Sequence, residues 1–330
     1  MTAQTIGIVA NPASGKDVRR LVARASVFDN REKCAIIRRA LSGAINAGAD
    51  QFAYLDDSHN IAGGALEELE ELGEEFDAIT VPCVQTSSVL DTIHGARALQ
   101  EHDPIVTLIL GGDGTSRAFV KGWRDCVLLP LSTGTNNVFP RMSEATVAGA
   151  ALGAVATGAV TLEEATIAVK MIDVEIEGEE PDIALIDAVV TRDQFIGSRA
   201  LLDGDAIERI FLTRAEPTAV GMTSVGGLIH PLPEEQDAGL HMTLGSRGKH
   251  RVHAPIAPGM YETLRLKKIE VLGFDDVIEF EGPCVLAFDG EREREIQAGQ
   301  MVRMRVGRSG PSVLDIHKTM HLAACRKVFN

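Results

Sequence analysis

Short apolar runs alternate with amphipathic stretches along the first 145 residues of the chain. The runs rich in β-branched and apolar residues predict strands over residues 5–10, 51–55, 78–83, 105–110 and 127–131. Between them, apolar positions recur at helical spacing and predict helices over residues 31–47, 61–72 and 87–100. Strands that alternate with helices in this way indicate a parallel, doubly wound α/β sheet.

From about residue 161 the pattern changes, because strand-like runs follow one another with few helices between them. These runs lie at residues 166–177, 183–192, 206–213 and 300–306. The small-residue run "ATVAGAALGAVATGA" before them predicts a helix that connects two domains. We therefore predict an α/β domain over residues 1–145, a β-rich sandwich domain over 146–313, and a segment, 314–330, that returns to the first domain.

Composition and charge restrict the partners. The 330 residues include 45% hydrophobic residues, which is enough to bury a core in two domains. The 32 Lys and Arg against 47 Asp and Glu give a net charge of -15, which opposes nonspecific binding to nucleic acid or to anionic membranes. No apolar stretch approaches the roughly 20 residues of a membrane span, and the N-terminus lacks the pattern of a signal peptide. We expect a cytoplasmic protein that binds small molecules, with no nucleic acid and no membrane as partner.

The stretch "IVTLILGGDGTSRAF" carries the most specific chemistry. An apolar strand leads into Gly111, Gly112, Asp113 and Gly114, and a helix is predicted from about Ser116. Glycines allow a phosphate to approach the backbone, and a helix N-terminus offers N–H donors. Asp113 adds a carboxylate that a strand-to-helix connection does not need. Asp-Gly is also a common turn dipeptide, so a turn that only joins the two elements remains an alternative.

Two further loops follow predicted strands. In "TIGIVANPASGKD" the Walker pattern fails, because Ala10 replaces its first glycine and Asp17 its hydroxyl residue. Small residues beside Lys16 can still let a phosphate approach the backbone. In "LPLSTGTNNVFP" hydroxyls and amides surround a glycine, and these groups can bond ribose, base or phosphate. A capped turn before a helix accounts for the second loop equally well. In doubly wound sheets, ligands bind where such loops leave the carboxyl ends of the strands.

The order of "NPASGK", "GGDGT", "STGTNNVF" and, later, "FDGE" resembles the superfamily of NAD kinases and diacylglycerol or sphingosine kinases. Within it, the chain is most similar to the ATP-NAD kinase group that includes acetoin catabolism protein X. The resemblance implies an NAD kinase-like fold, with an α/β nucleotide-binding domain, a β-sandwich acceptor domain and the active site between them. It also implies phosphoryl transfer from ATP to a hydroxyl with Mg²⁺, and a homo-oligomer.

By that resemblance Asp113 is the general base that deprotonates the acceptor hydroxyl. Asp289 and Glu291 match an Asp-Gly-Glu motif that supports a metal and water network, although a surface turn explains this sequence as well. The residues implied to contact the nucleotide or its phosphates are Asn11, Ser14, Gly15, Lys16, Gly111, Gly112, Gly114, Thr115, Thr133, Gly134, Thr135, Asn136 and Asn137.

The acceptor side departs from the NAD kinase pattern. Ile186 and Asp187 stand where an Asn-Glu pair is expected, and Gly221 stands where a tyrosine would stack. The residues that keep the pattern, and that we expect to contact the acceptor, are Asp187, Thr218, Thr223 and Ser224. With one amide and one aromatic ring lost and the catalytic loop kept, the acceptor pocket is compatible with a different nucleotide or with an acceptor smaller than NAD.

The sequence therefore predicts an ATP-dependent phosphotransferase of the NAD kinase type, with ATP or polyphosphate as the donor. The altered acceptor positions leave open a non-catalytic nucleotide-binding accessory or sensor protein linked to acetoin catabolism. A diacylglycerol-type lipid kinase is the third hypothesis. The acidic composition and the lack of a basic amphipathic helix disfavour it.

Overall fold

A computed structural model of the protein describes residues 3–14, 29–86, 88–134, 136–192 and 206–330. The first part of the chain forms a seven-stranded sheet with helices on both faces. Its elements are β1 (Ile6–Ala10), α1 (Asn30–Asn46), β2 (Gln51–Leu55), α2 (Ile61–Glu71), β3 (Asp77–Val81), α3 (Val89–Gln100), β4 (Val106–Gly111), α4 (Asp113–Gly122), β5 (Val127–Ser132) and α5 (Ala145–Ala156).

The remaining elements belong mostly to two antiparallel sheets. They are α6 (Leu162–Ala165), β6 (Thr166–Ala168), β7 (Met171–Ile176), β8 (Asp182–Ala184), β9 (Asp187–Thr191), β10 (Ile207–Leu212), α7 (Met222–Gly227), β11 (Gly239–Leu244), β12 (His250–Ala257), β13 (Met260–Leu272), β14 (Val277–Glu281), β15 (Cys284–Phe288), β16 (Glu291–Ile296), β17 (Met301–Gly307), β18 (Ser312–Leu314) and α8 (Ile316–Cys325).

The strand order of the first sheet determines where a ligand can bind. The order is β3-β2-β1-β4-β5-β18-β6, and every pair is parallel except β18 with β6. Strands β2 and β3 are added on one side of β1, and β4 and β5 on the other side. This change in the order of the strands opens a crevice at the carboxyl ends of β1 and β4. In register, Ala10 lies opposite Leu110, and Gly111 lies opposite Ser132. The three loops singled out in the sequence therefore leave the sheet at the same level.

Each face of the parallel sheet has its own core. Ile6 and Ile8 of β1 pack with α1, α2, α5 and α8 on one face, whereas Val9 and Ile109 pack with α3 and α4 on the other. One strand contributes to both cores because its successive side chains point to opposite sides of the sheet. Strands β6 and β18 lie in this sheet although both follow residue 145, the predicted limit of the first domain.

Helix α5, which contains the small-residue run, packs closely on α1. A β-carbon added at Gly149 would lie 1.7 Å from the carbonyl oxygen of Ala40, and one at Gly43 would lie 2.1 Å from the carbonyl oxygen of Thr146. Only glycine permits backbones to approach this closely. The small residues thus serve the contact between two helices on the first sheet.

The second part of the chain forms a sandwich. One sheet has the order β12-β13-β11-β10-β9-β15-β16 and the other β14-β17-β7-β8, and both are antiparallel. Side chains of both sheets, such as Phe211, Leu286 and Val302, meet in one buried core. The predicted fold class, a parallel α/β domain followed by a β-rich domain, is confirmed. Among the residues described, no helix is both long and apolar enough to cross a membrane.

Candidate functional site

Asp113 is the first residue of helix α4, so the prediction of a helix start near Ser116 was wrong by three residues. Gly112, in an extended conformation, is the residue before the first turn, and helical geometry begins directly after the two glycines. A carboxylate in the first turn is also favoured by the partial positive charge of the helix N-terminus. Asp113 therefore lies at the crevice rather than in a loop leading to it.

The Asp113 carboxylate accepts hydrogen bonds from the backbone of the neighbouring loop. Oδ1 accepts from the N–H groups of Val138 and Phe139 at 3.0 and 2.8 Å. Burial raises the pKa of Asp113 to about 7, and the Asp289 carboxylate adds to this increase, while the two N–H bonds and Arg214 oppose it. A carboxylate whose pKa lies near neutral pH is suited to accept a proton.

The loop after β5 is bonded directly to the glycine loop. The N–H of Thr133 donates to the carbonyl oxygen of Gly111 at 3.2 Å, and Asn137 Nδ2 donates to Ser132 Oγ at 2.7 Å. A β-carbon at Gly112 would lie 3.0 Å from Asn137 Oδ1, so glycine provides the room for this amide. Gly134 is buried and Asn136 is half-buried beside them. The two loops thus form one surface at adjacent strand ends.

The loop after β1 joins this surface through Asn11. Asn11 Nδ2 donates to Thr115 Oγ1 at 2.8 Å, and Asn11 Oδ1 accepts from the N–H of Ala13 at 2.9 Å. Ser14 Oγ donates back to the carbonyl oxygen of Asn11. Three predicted phosphate contacts, Gly15, Lys16 and Thr135, lie outside the described residues.

A cavity of about 450 Å³ lies beside these loops, at the carboxyl ends of β1 to β4. Asn11, Gly114, Thr115 and Glu291 line it, and all four belong to the predicted site. Its volume is in the range of small-molecule sites. Sequence analysis missed the other part of the wall, which is formed by the segments after β2 and β3. Its polar members are Asp56, Asp57, Ser58, His59, Gln85, Ser88, Asp91 and Thr92.

A signal for this missed wall was present in the sequence. Asp56 directly follows β2, and the segment containing Gln85 follows β3, so both leave the same edge of the sheet as the glycine loop. A second missed residue, Lys33, is completely buried beneath the loop after β1. Its position four residues before buried Ile37, on the apolar stripe of α1, was the available signal.

Asp289 holds a backbone segment. Its carboxylate accepts from the N–H groups of Leu185, Ile186 and Asp187 at 2.9, 2.8 and 3.1 Å. Burial raises the pKa of Asp289, and Arg117 and these N–H bonds oppose the rise. Asp289 itself lies at φ +48 in the turn between β15 and β16. Its carboxylate is thus already committed to three donors.

Glu291, the other predicted metal residue, reaches the cavity. A β-carbon at Gly114 would lie 2.9 Å from Glu291 Oε1, which puts this carboxylate against the glycine loop. Within the described part of the chain, His, Cys, Asp and Glu side chains form no group of three that could hold a metal. Mg²⁺ commonly takes one or two carboxylates and completes its shell with water and substrate phosphates, and Glu291 fits that arrangement.

The residues predicted to contact the acceptor are not brought together in one exposed surface. Thr218 is exposed, Asp187 is partly buried, and Thr223 and Ser224 are buried in α7. Ser224 Oγ donates to the carbonyl oxygen of Gly221 at 2.7 Å. Ile186 is 1% exposed, and a β-carbon at Gly221 would meet no atom within 4 Å. The positions that depart from the NAD kinase pattern are thus one buried side chain and one open space.

Comparisons with known proteins identify relatives of this chain. The family model for the acetoin catabolism protein X C-terminal domain matches residues 170–309. Acetoin catabolism protein X of Cupriavidus necator is 33% identical over 309 residues, which cover 88% of this chain and 84% of that protein.

Two solved structures are also similar to the chain. Yeast NADH kinase complexed with NADH aligns with a TM-score of 0.55 at 13% identity, over 98% of this chain and 87% of that chain. A putative diacylglycerol kinase from Bacillus anthracis str. Sterne aligns with a TM-score of 0.45 at 11% identity, over 95% of this chain and 99% of that chain. The likeness to the yeast enzyme shows a shared fold.

Proposed function

Because the chain belongs to the acetoin catabolism protein X family and shares its fold with an NADH kinase, we propose that it is an ATP-dependent phosphotransferase. It transfers a phosphoryl group to a hydroxyl of NAD or of a related nucleotide. The observation that carries the proposal is Asp113, a carboxylate at the start of α4 with a pKa raised to about 7. A turn that only joined a strand to a helix would not need it.

Asp113 acts as the general base. The two N–H groups on Oδ1 fix the direction of the carboxylate, and its raised pKa allows it to take the proton of the acceptor hydroxyl near neutral pH. Most of the remaining chemistry of phosphoryl transfer is positioning and neutralisation of charge.

The donor nucleotide occupies the cavity at the ends of β1 to β4 in this proposal. Asn11 and Thr115, which are bonded to each other, contact its phosphates beside Gly114. Glu291 holds Mg²⁺ or its bound water, and the metal, when bound, neutralises part of the phosphate charge. Asp289 supports this arrangement indirectly, because it holds the backbone of residues 185–187 next to the acceptor side.

The test is incubation of the purified protein with ATP, Mg²⁺ and NAD, with NADP detected by an NADP-specific dehydrogenase. Asp113→Asn should reduce the rate by about 100- to 10,000-fold, since general base catalysis is worth that much. Asn keeps an oxygen for the N–H groups of Val138 and Phe139, so the fold should persist. Asp275→Asn, at an exposed aspartate, is the matched control and should keep the full rate.

The pH dependence gives a second readout of the same assay. The carboxylate form of Asp113 is the base, so the rate should rise as the pH increases through about 7 and then level off. A rate independent of pH between about 5 and 9, or full activity in Asp113→Asn, would contradict the role of Asp113.

The non-catalytic alternative is favoured by the acceptor side, where Ile186 is buried and Gly221 leaves an open space. A protein of that kind would bind ATP or NAD in calorimetry and give no phosphorylated product. Diacylglycerol in vesicles, offered as the acceptor in place of NAD, tests the lipid kinase hypothesis in the same assay.

A further inference from the structure

The ammonium group of Lys33 lies in a cradle of backbone carbonyls. Nζ donates to the carbonyl oxygens of Asn11, Pro12 and Ser14 at 2.9, 2.9 and 2.7 Å, and Asn30 Oδ1 lies 3.2 Å away. The residue is 0% exposed. A buried ammonium is costly unless its donors are bonded, so the lysine and the loop after β1 fix each other's position.

The other side of the same loop is a wall of the cavity. Asn11, Pro12 and Ala13 line the cavity, whereas Lys33 lies behind them. Asn11 is held at both ends of its side-chain amide, by the N–H of Ala13 and by Thr115 Oγ1. A displacement of the loop backbone at Asn11 would therefore also release Thr115, which belongs to the glycine loop.

The charges of the cavity explain why such a support matters for a phosphate ligand. The described residues that line it include the carboxylates of Asp56, Asp57, Asp91 and Glu291, and they include no Lys or Arg. Carboxylates repel phosphate, so binding depends on oriented N–H groups, on metal and on cations near the wall. Lys33 Nζ lies a single hydrogen bond away from the backbone of that wall. The carbonyl oxygens of Asn11, Pro12 and Ser14 point at the ammonium group, so the positive ends of these carbonyl dipoles point away from Lys33.

We propose that Lys33 is the positioning residue of the phosphate-binding loop. From behind the loop it holds residues 11–14, and through Asn11 it holds Thr115, in the arrangement that contacts the phosphates of the donor. This inference rests on the proposed function, in which a nucleotide donor occupies the cavity.

The chain contains a matched control in Lys170. This lysine is 1% exposed, and its Nζ donates to the carbonyl oxygens of Pro233, Gln236 and Ala238, each at 3.0 Å. Its cradle has the same number of backbone acceptors, but none of the residues in it lines the cavity. Removal of either ammonium takes one donor away from each of three carbonyls, so both changes should lower stability.

The experiment is calorimetric titration of the full chain with ATP and with adenosine, at a temperature where circular dichroism shows every variant folded. Lys33→Met should weaken the binding of ATP by about 10- to 100-fold, the equivalent of about 1.4 to 2.8 kcal/mol. The binding of adenosine should change by no more than about twofold. Lys170→Met should leave both affinities at the wild-type value.

Several outcomes distinguish a failure of this inference from a failure of the proposed function. Wild-type affinity for ATP in Lys33→Met, or equal losses for ATP and adenosine, would overturn the role of Lys33 while the function stands. Wild-type protein that binds neither ligand would overturn the nucleotide site and this inference together. If Lys33→Met does not fold, Lys33→Gln, which keeps two donors, replaces it, and its ATP affinity should then fall between those of wild type and Asn11→Ala.

Discussion

The carboxyl edge of the parallel sheet and the junction between the two domains both bury charged side chains, but they hold them differently. Near the glycine loop, Asp113 and Asp289 accept from backbone N–H groups, and behind the loop after β1 Lys33 donates to backbone carbonyls. At the junction, Asp182 is bonded to Arg117 at 2.6 Å, to Lys121 at 3.0 Å and to Arg294 at 3.1 Å.

The difference has a physical meaning. A charge that is paired with an opposite charge is neutralised, and its field contributes little beyond the pair. Burial raises the pKa of Asp182, but Arg117 and Lys121 outweigh that effect and lower its pKa, whereas the pKa of Asp113 is raised. Backbone dipoles fix the direction of a carboxylate and leave it able to take a proton. The carboxyl of Asp182 therefore stays ionised at the junction, whereas that of Asp113 can exchange a proton near neutral pH.

Removal of Arg117 should produce the largest change in stability. Its guanidinium is 1% exposed, lies 4.8 Å from the centre of the Phe288 ring, and connects α4 to β8. Breaking a buried ion pair commonly costs about 3 kcal/mol or more, so Arg117→Met should lower the free energy of unfolding by about 3 kcal/mol in urea titration. Arg303→Met, which removes an exposed pair with Glu279, is the control and should show no measurable change. Equal free energies of unfolding for Arg117→Met and Arg303→Met would contradict the conclusion that the buried ion pairs of the junction stabilise the fold.

Asp113→Asn should make the protein more stable, and only at higher pH. The folded state keeps the proton of Asp113 up to about pH 7, whereas the unfolded chain loses it near the ordinary aspartate pKa of 3.8. Between these values the folded state binds more protons, so stability falls as the pH rises through the window. In thermal scans the variant should exceed wild type by a few degrees at about pH 8 and by much less at about pH 4.5. A stability difference between Asp113→Asn and wild type that does not change with pH would contradict the raised pKa of Asp113.

Lys170→Met should give the smallest change in stability. Lys170 is also the residue that departs from the difference between the cavity edge and the junction. It lies at the junction, yet its ammonium is held by carbonyls. Burial lowers its pKa to about 8, with Glu234 opposing and Arg308 and Arg214 assisting. Between about pH 8 and about pH 9 the unfolded chain binds more protons, so wild-type stability should rise by about 1 kcal/mol over that interval relative to Lys170→Met in urea titrations. The opposite slope would indicate that Lys170 acts as the partner of Glu234.

The elements of the first domain could be predicted because each is one periodic run with a change of pattern at both ends. The glycine loop could be recognised for the same reason, since its residues are contiguous. Asp182 could not, because its partners Arg117, Lys121 and Arg294 are 65, 61 and 112 residues away and a charged residue in a polar stretch looks exposed. Lys33 had a local signal in the apolar stripe of α1, but its acceptors, the carbonyls of residues 11–14, carry no side-chain signature. The start of α4 depended on the conformation of Gly112, which glycine leaves open.

The contact between α1 and α5 has a mechanical consequence. At Ala40 and Gly149 the two backbones touch without a side chain between them, so α1 cannot slide along α5 without a clash or a gap. Lys33 lies on the same helix, about 10 Å from Ala40 along its axis. The C-terminal half of α1 is therefore held by α5, and Lys33, near the N-terminus of α1, contacts the loop after β1. Under the proposed function, a methyl group added at Gly149, outside the cavity, should displace α1 and weaken the binding of phosphate at the loop after β1.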